Sequence, residues 1–137
     1  MPVIKELIRT ENNGTISFGD YTLAVKSKLQ DYEFDGDYYK VKTFNEITKL
    51  ERNGMFVYES VPGTAVEQFR ADETGVSFKV EGTKDTQITL ELQDDTEYDV
   101  KIGDEDAGVM KTNMGGKVTL SVELSDGAAV PVEIRKR

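Results

Sequence analysis

Cysteine and histidine are both absent from the 137 residues. Without cysteine there is no disulfide, thiolate ligand or thiolate nucleophile, so stability rests on packing and strand pairing. Without histidine the commonest general base, proton shuttle and transition-metal ligand is missing, and catalysis would fall to carboxylates, tyrosine, lysine or a hydroxyl. Tryptophan is absent too, which removes the best stacking platform for a sugar ring. Cations are in deficit, with 17 Lys and Arg against 26 Asp and Glu and a net charge of -9. Such a field opposes phosphate, so nucleic acid is not an expected partner. No apolar run approaches the length of a membrane span, and no membrane partner is expected. At the N-terminus Lys5, Glu6 and Arg9 interrupt the apolar positions, unlike a signal-peptide core. The expected compartment is cytoplasmic for a chain complete as given, and extracellular for one from which an export signal has been trimmed.

What the chain does have is alternation. Ile88, Leu90 and Leu92 recur at every second position, as do Tyr98, Val100 and Ile102. Val118, Leu120, Val122 and Leu124 alternate with Thr119, Ser121 and Glu123, and Val130, Val132 and Ile134 close the set. A period of two gives each segment one apolar and one wet face, which requires a partner layer. Between the segments lie Asp94-Asp95-Thr96, Gly103-Asp104-Glu105-Asp106, Asn113 to Gly116 and Ser125-Asp126-Gly127, residues that favour tight turns. Short strands at this spacing predict an antiparallel β-sandwich of immunoglobulin-like type in the C-terminal half.

Hairpins predominate before it. Asn13-Gly14 separates a first strand within Val3 to Arg9 from a second over Thr15 to Phe18, since Asn-Gly suits the positive φ of a type I′ turn. Tyr21, Leu23 and Val25 predict a third strand. Asp35-Gly36 would place Tyr32 opposite Tyr39 and Glu33 opposite Tyr38. Asn53-Gly54 would pair Leu50 with Val57 and Glu51 with Phe56. Phe44, Ile47 and Leu50 fall at helical spacing, but one turn is too short to stand alone, and strand is preferred. Pro62-Gly63 suits a type II turn and interrupts the ladder. Residues 71–75 read as a further turn, and Val76 to Val80 as a strand. The expected organisation is a small antiparallel sheet over 1–62 followed by a sandwich over 63–137, or one continuous all-β body.

Three sets of residues are candidates for chemistry. Asp94, Asp95, Asp104 and Asp106 are oxygen ligands of the kind calcium takes from loops, and one ion between adjacent turns is conceivable. Their spacing is not that of an EF-hand, and acidic turns are commonly just solvated. Tyr32, Tyr38, Tyr39 and Tyr58 are candidates for an aromatic binding strip, against the alternative that they form the core of a sheet. Tyr38 and Tyr39, being consecutive, must face opposite sides. Paired carboxylates also suggest glycoside hydrolysis, yet 26 acids make some pair inevitable and nothing marks one. Arg135-Lys136-Arg137 is too short for a nucleic-acid patch. Asn113 to Lys117 lacks half of the P-loop pattern and precedes a strand, so it reads as a hairpin turn.

The segments Tyr98 to Ile102, Gly108, Lys111-Thr112-Asn113, Gly116 to Val122 and Val130 to Ile134 together resemble the immunoglobulin-like accessory modules found beside bacterial carbohydrate-active and surface proteins. The full chain, including Val41 to Glu51 and Asn53 to Thr64, is similar to a group of small proteins of gut clostridia often labelled endosialidase chain. The resemblance implies a bacterial all-β family. No motif of that enzyme is matched, so no catalytic residue carries over. The leading expectation is a non-catalytic binding or assembly module that contacts protein or glycan through sheet edges or a sandwich end, with a homodimer as one form. The alternative is a small carbohydrate-active enzyme subunit using carboxylates.

Overall fold

The computed structural model describes residues 3–125 and 128–137; the expected turn at Ser125-Asp126-Gly127 lies partly outside them. Thirteen strands run in order: β1 (Ile8–Thr10), β2 (Ile16–Phe18), β3 (Ser27–Phe34), β4 (Asp37–Phe44), β5 (Ile47–Arg52), β6 (Met55–Val61), β7 (Ala65–Asp72), β8 (Gly75–Glu81), β9 (Thr86–Glu91), β10 (Glu97–Ile102), β11 (Glu105–Lys111), β12 (Lys117–Val122) and β13 (Val130–Lys136). They form two antiparallel sheets, one ordered β1-β2-β7-β8-β13-β10-β11 and the other β12-β9-β6-β5-β4-β3. The fold is all-β, and the two sheets form a sandwich.

The alternating positions Ile88, Leu90, Val100, Leu120 and Ile134 point inward. Val41, Leu50, Tyr58, Ile88, Leu90 and Leu120 from one sheet meet Phe18, Val66, Phe78, Val80, Val100 and Ile134 from the other, all buried. At the centre the Tyr58 ring lies edge-on to Phe18 at 5.3 Å and to Phe78 at 5.7 Å, while Phe69 and Phe78 stack at 5.7 Å. Edge-to-face pairs of this kind contribute about 0.5–1.5 kcal/mol each beyond area burial.

Several expectations need correction. The sheets are not divided at Pro62, because β2 pairs with β7 and β6 pairs with β9, so each sheet mixes strands from 1–62 and 63–137. Alternation tells which side of a strand is buried but not which strand lies beside it. Asp35-Gly36 and Asn53-Gly54 do adopt positive φ at both residues, as a type I′ turn demands. At the first turn Tyr32 faces Tyr39 and Glu33 faces Tyr38, as expected. At the second Glu51 faces Phe56, but a bulge makes Tyr58, not Val57, the partner of Leu50. At Asn13-Gly14 only Gly14 has positive φ, and the loop closes with the Glu11 amide donating to the Thr15 carbonyl at 2.8 Å.

Tyr21 to Val25 is not a strand. The Asp20 carboxylate accepts from the Thr22 amide at 2.9 Å and its hydroxyl at 2.5 Å, a local turn that competes with extension. The Val61–Pro62 bond is cis and Gly63 lacks the positive φ of a type II turn. The chain crosses between the sheets there. Glu105 and Asp106, read as turn residues, open strand β11.

Candidate binding surface at the sheet edges

The four acids do not converge. Asp94 and Asp95 lie in the β9–β10 connection, whereas Asp104 lies in the turn at the far end of β10 and Asp106 in β11 opposite Lys101 near that end. A six-residue strand at about 3.3 Å per residue puts roughly 17–20 Å between the two ends. Asp95 forms an ion pair with Lys111 at 3.2 Å, and Asp106 accepts from the Gly108 amide at 2.8 Å. No group of three or more acidic side chains among the described residues is arranged to hold a metal ion.

The tyrosines are also split. Tyr38 is 53% exposed on the outer face of the second sheet, while Tyr39 is 7% exposed and Tyr58 fully buried. Tyr32 is half-buried, its hydroxyl 2.7 Å from Thr10 Oγ1. They form no common strip.

Tyr58 belongs to a buried polar chain that alternation did not reveal. The Asp20 amide donates to Thr43 Oγ1 at 2.9 Å; Thr43 and Thr48 hydroxyls lie 2.8 Å apart; Thr48 donates to the Thr64 carbonyl at 2.8 Å. Because that bond uses the single Thr48 proton, Thr43 is the donor to Thr48. Thr64 Oγ1 in turn lies 2.8 Å from both the Tyr58 hydroxyl and Ser60 Oγ. Burial pushes the Tyr58 hydroxyl pKa up, against the hydrogen bonds from Thr64 and Ser60, so it stays protonated. No buried polar side-chain atom among the described residues lacks a partner. A satisfied, uncharged network of this kind ties the sheets together; it carries no reactive group.

Among the described residues two carboxyl groups are displaced downward from the usual range. Glu11 is lowered first by the Ser17 hydroxyl, at 2.5 Å, and also by Arg9, at 3.0 Å. Asp72 is lowered by bonds from the Thr74 hydroxyl and amide. A cavity of about 420 Å³ opens between the sheets at the end that carries the Asn53-Gly54 turn, lined by Val57, Phe69, Leu92, Gln93 and Tyr98 among others. Within it Tyr98 accepts from the Gln93 amide at 3.1 Å.

The edges differ from one another. β1 has three residues. β3 carries a bulge between Leu29 and Tyr32, with Asp31 at φ 61. β11 bulges opposite Val100 and Lys101, with Gly108 at φ 92. Short, bulged or charged edges resist further pairing. β12 is different: six consecutive residues pair with β9 without a register shift, from Lys117 opposite Glu91 to Val122 opposite Thr86.

The Leu92 amide donates to the Gly116 carbonyl at 2.7 Å. That fixes 116, 118, 120 and 122 as the residues bonded to β9, because hydrogen-bonded and non-bonded pairs alternate. The cross-strand side-chain contacts agree: Thr89 and Thr119 hydroxyls at 3.2 Å and Gln87 to Ser121 at 2.7 Å fall at the closer, non-bonded pairs. Thr119 and Ser121 therefore direct both amide and carbonyl away from the sheet. The Lys117 amide is taken by Asn113 Oδ1 at 3.3 Å. The strand itself was legible in the sequence; its place at an edge was not.

No protein family, curated protein or solved structure matches this chain. No helix among the described residues is long and apolar enough to cross a membrane.

Proposed function

We propose that this chain is a non-catalytic binding or assembly module that recognises a protein partner by accepting an extended strand at β12. The regular β12 edge carries this reading. Its outward amides and carbonyls are a preformed ladder for main-chain recognition, with alternate side chains available for specificity. Dispersal of the exposed aromatic residues favours protein over glycan as the partner.

The test is titration of ¹⁵N-labelled protein with a nine-residue peptide alternating valine and threonine between a terminal lysine and glutamate. The expected result is slowed exchange of the Thr119 and Ser121 amides with shifts confined to β12 and its neighbour. Shifts elsewhere, or none while those amides keep exchanging freely, would overturn it.

A further inference from the structure

We infer that the strand added at β12 is β12 of a second copy of this chain, paired antiparallel about a two-fold axis at Leu120. This rests on the strand-addition reading and deepens it. The stretch Lys117-Val118-Thr119-Leu120-Ser121-Val122-Glu123 is chemically palindromic about Leu120. Run antiparallel to itself, it sets Val118 against Val122, Thr119 against Ser121, and Lys117 against Glu123 of the partner copy. A two-fold interface must be self-complementary in this way, since each residue meets the partner of its own partner.

Three independent features agree with that register. The first is the face: directly opposed residues in a sheet must point to the same side, and pairing about Leu120 matches inward Val118, Leu120 and Val122 with one another and outward Thr119 and Ser121 likewise. The second is the hydrogen-bond phase. Thr119 and Ser121 are the residues whose main-chain groups point out of the sheet, and in this register they exchange about four backbone bonds across the axis. A register centred on Thr119 has the same phase, but it places Lys117 opposite Ser121 and Glu123 opposite Gly115, leaving both charges unpaired.

The third is charge. Glu123 is exposed beyond the strand end, and Lys117 lies with its ammonium 4.6 Å from the Phe56 ring on the same outer face. Two copies, each of net charge -9, repel at long range; at physiological salt that repulsion is screened beyond about 8 Å. Two Lys117–Glu123 pairs then favour this register at contact. The bulges of β3 and β11 and the brevity of β1 leave β12 as the edge on which such pairing can propagate.

Sedimentation equilibrium at about 0.15 M salt tests this, with a mass of twice 15.3 kDa expected for the unaltered chain. Lys117→Glu and Glu123→Lys singly oppose like charges and weaken the dimer at least tenfold, while the double swap restores it to within about threefold. Thr119→Pro removes an outward amide that bonds nothing in β9 and yields a monomer with an unchanged circular dichroism spectrum.

A chain of 15.3 kDa at every concentration overturns the inference, as does a dimer indifferent to both single swaps or one that the double swap fails to restore. The peptide titration separates the two readings. A monomer that binds the peptide at Thr119 and Ser121 overturns self-pairing alone, and one that binds nothing there overturns both.

Discussion

The polar chain centred on Thr64 makes a quantitative demand on stability. Thr64→Val keeps the shape of the side chain and the main-chain bonds to Thr48, but it removes the one oxygen that serves both Tyr58 and Ser60. Two hydroxyls are then buried without that partner. At about 1–3 kcal/mol for each unsatisfied group, the expected loss is about 2–6 kcal/mol, a large part of the total stability of a small domain. Tyr58→Phe keeps the ring among Phe18, Phe69 and Phe78 and leaves Thr64 bonded to Ser60, so it costs only about 1 kcal/mol. Once Thr64 is valine, adding Tyr58→Phe and Ser60→Ala removes the orphaned groups and recovers stability. Urea unfolding followed by far-ultraviolet circular dichroism, at constant m-value, measures all four proteins. The reasoning fails if Thr64→Val costs no more than Tyr58→Phe, or if the triple variant is weaker than Thr64→Val alone.

Other positions give sharper contrasts. A Cβ at Gly75, whose φ is +146, would lie 1.9 Å from the Ile134 carbonyl oxygen in β13, while one at Gly36 meets nothing within 4 Å. Gly75→Ala is expected to cost more than about 3 kcal/mol and Gly36→Ala about 1–2 kcal/mol, the left-handed penalty alone, both by urea titration. Tyr39→Ala empties a core position and costs about 3–5 kcal/mol, whereas Tyr38→Ala stays within about 0.5 kcal/mol; equal thermal shifts would refute their assignment to opposite faces. Folding lowers the Glu11 pKa, so its contribution is present above the unfolded value of about 4.3 and is lost as pH falls through the lower folded value. Glu11→Gln should therefore narrow its gap from the unaltered chain as pH drops from about 6 to 3, followed by urea midpoint; a gap that widens contradicts this sign.

Much of the fold was readable because it is local. Side-chain parity along Ile88 to Leu92, Tyr98 to Ile102 and Lys117 to Leu124 follows from the two-residue repeat of a strand, whatever lies beside it. The turns at Asp35-Gly36 and Asn53-Gly54 followed from the backbone freedom of their own residues. The misses have equally particular causes. Tyr21 to Val25 alternates like a strand, but Asp20 bonds its own neighbours first. The bulge that sets Leu50 against Tyr58 depends on how β5 and β6 twist together. The acids at 94–95 and 104–106 are close in sequence, yet a whole strand separates them. Thr43 and Thr48 read as ordinary strand residues and Ser60 and Thr64 as part of the break around Pro62, and only the packing of two sheets makes them a buried chain.

Edge position belongs to this non-local class, since a strand carries the same alternation with one neighbour or two. What distinguishes an edge locally is the device that blunts it, and those devices are unequally visible. Gly108 advertises a bulge by its residue type, because a positive φ costs glycine nothing. Asp31, also at positive φ, does so weakly, as aspartate visits that region only at some cost. β12 has neither signal: valine, threonine, leucine and serine run through it without a break. That continuity is what an interior strand such as β9 needs as well, and it is unexpected at an open edge unless something pairs there. An edge left regular is therefore the positive observation, and it directs attention to Thr119 and Ser121 ahead of any acidic or aromatic residue in the chain.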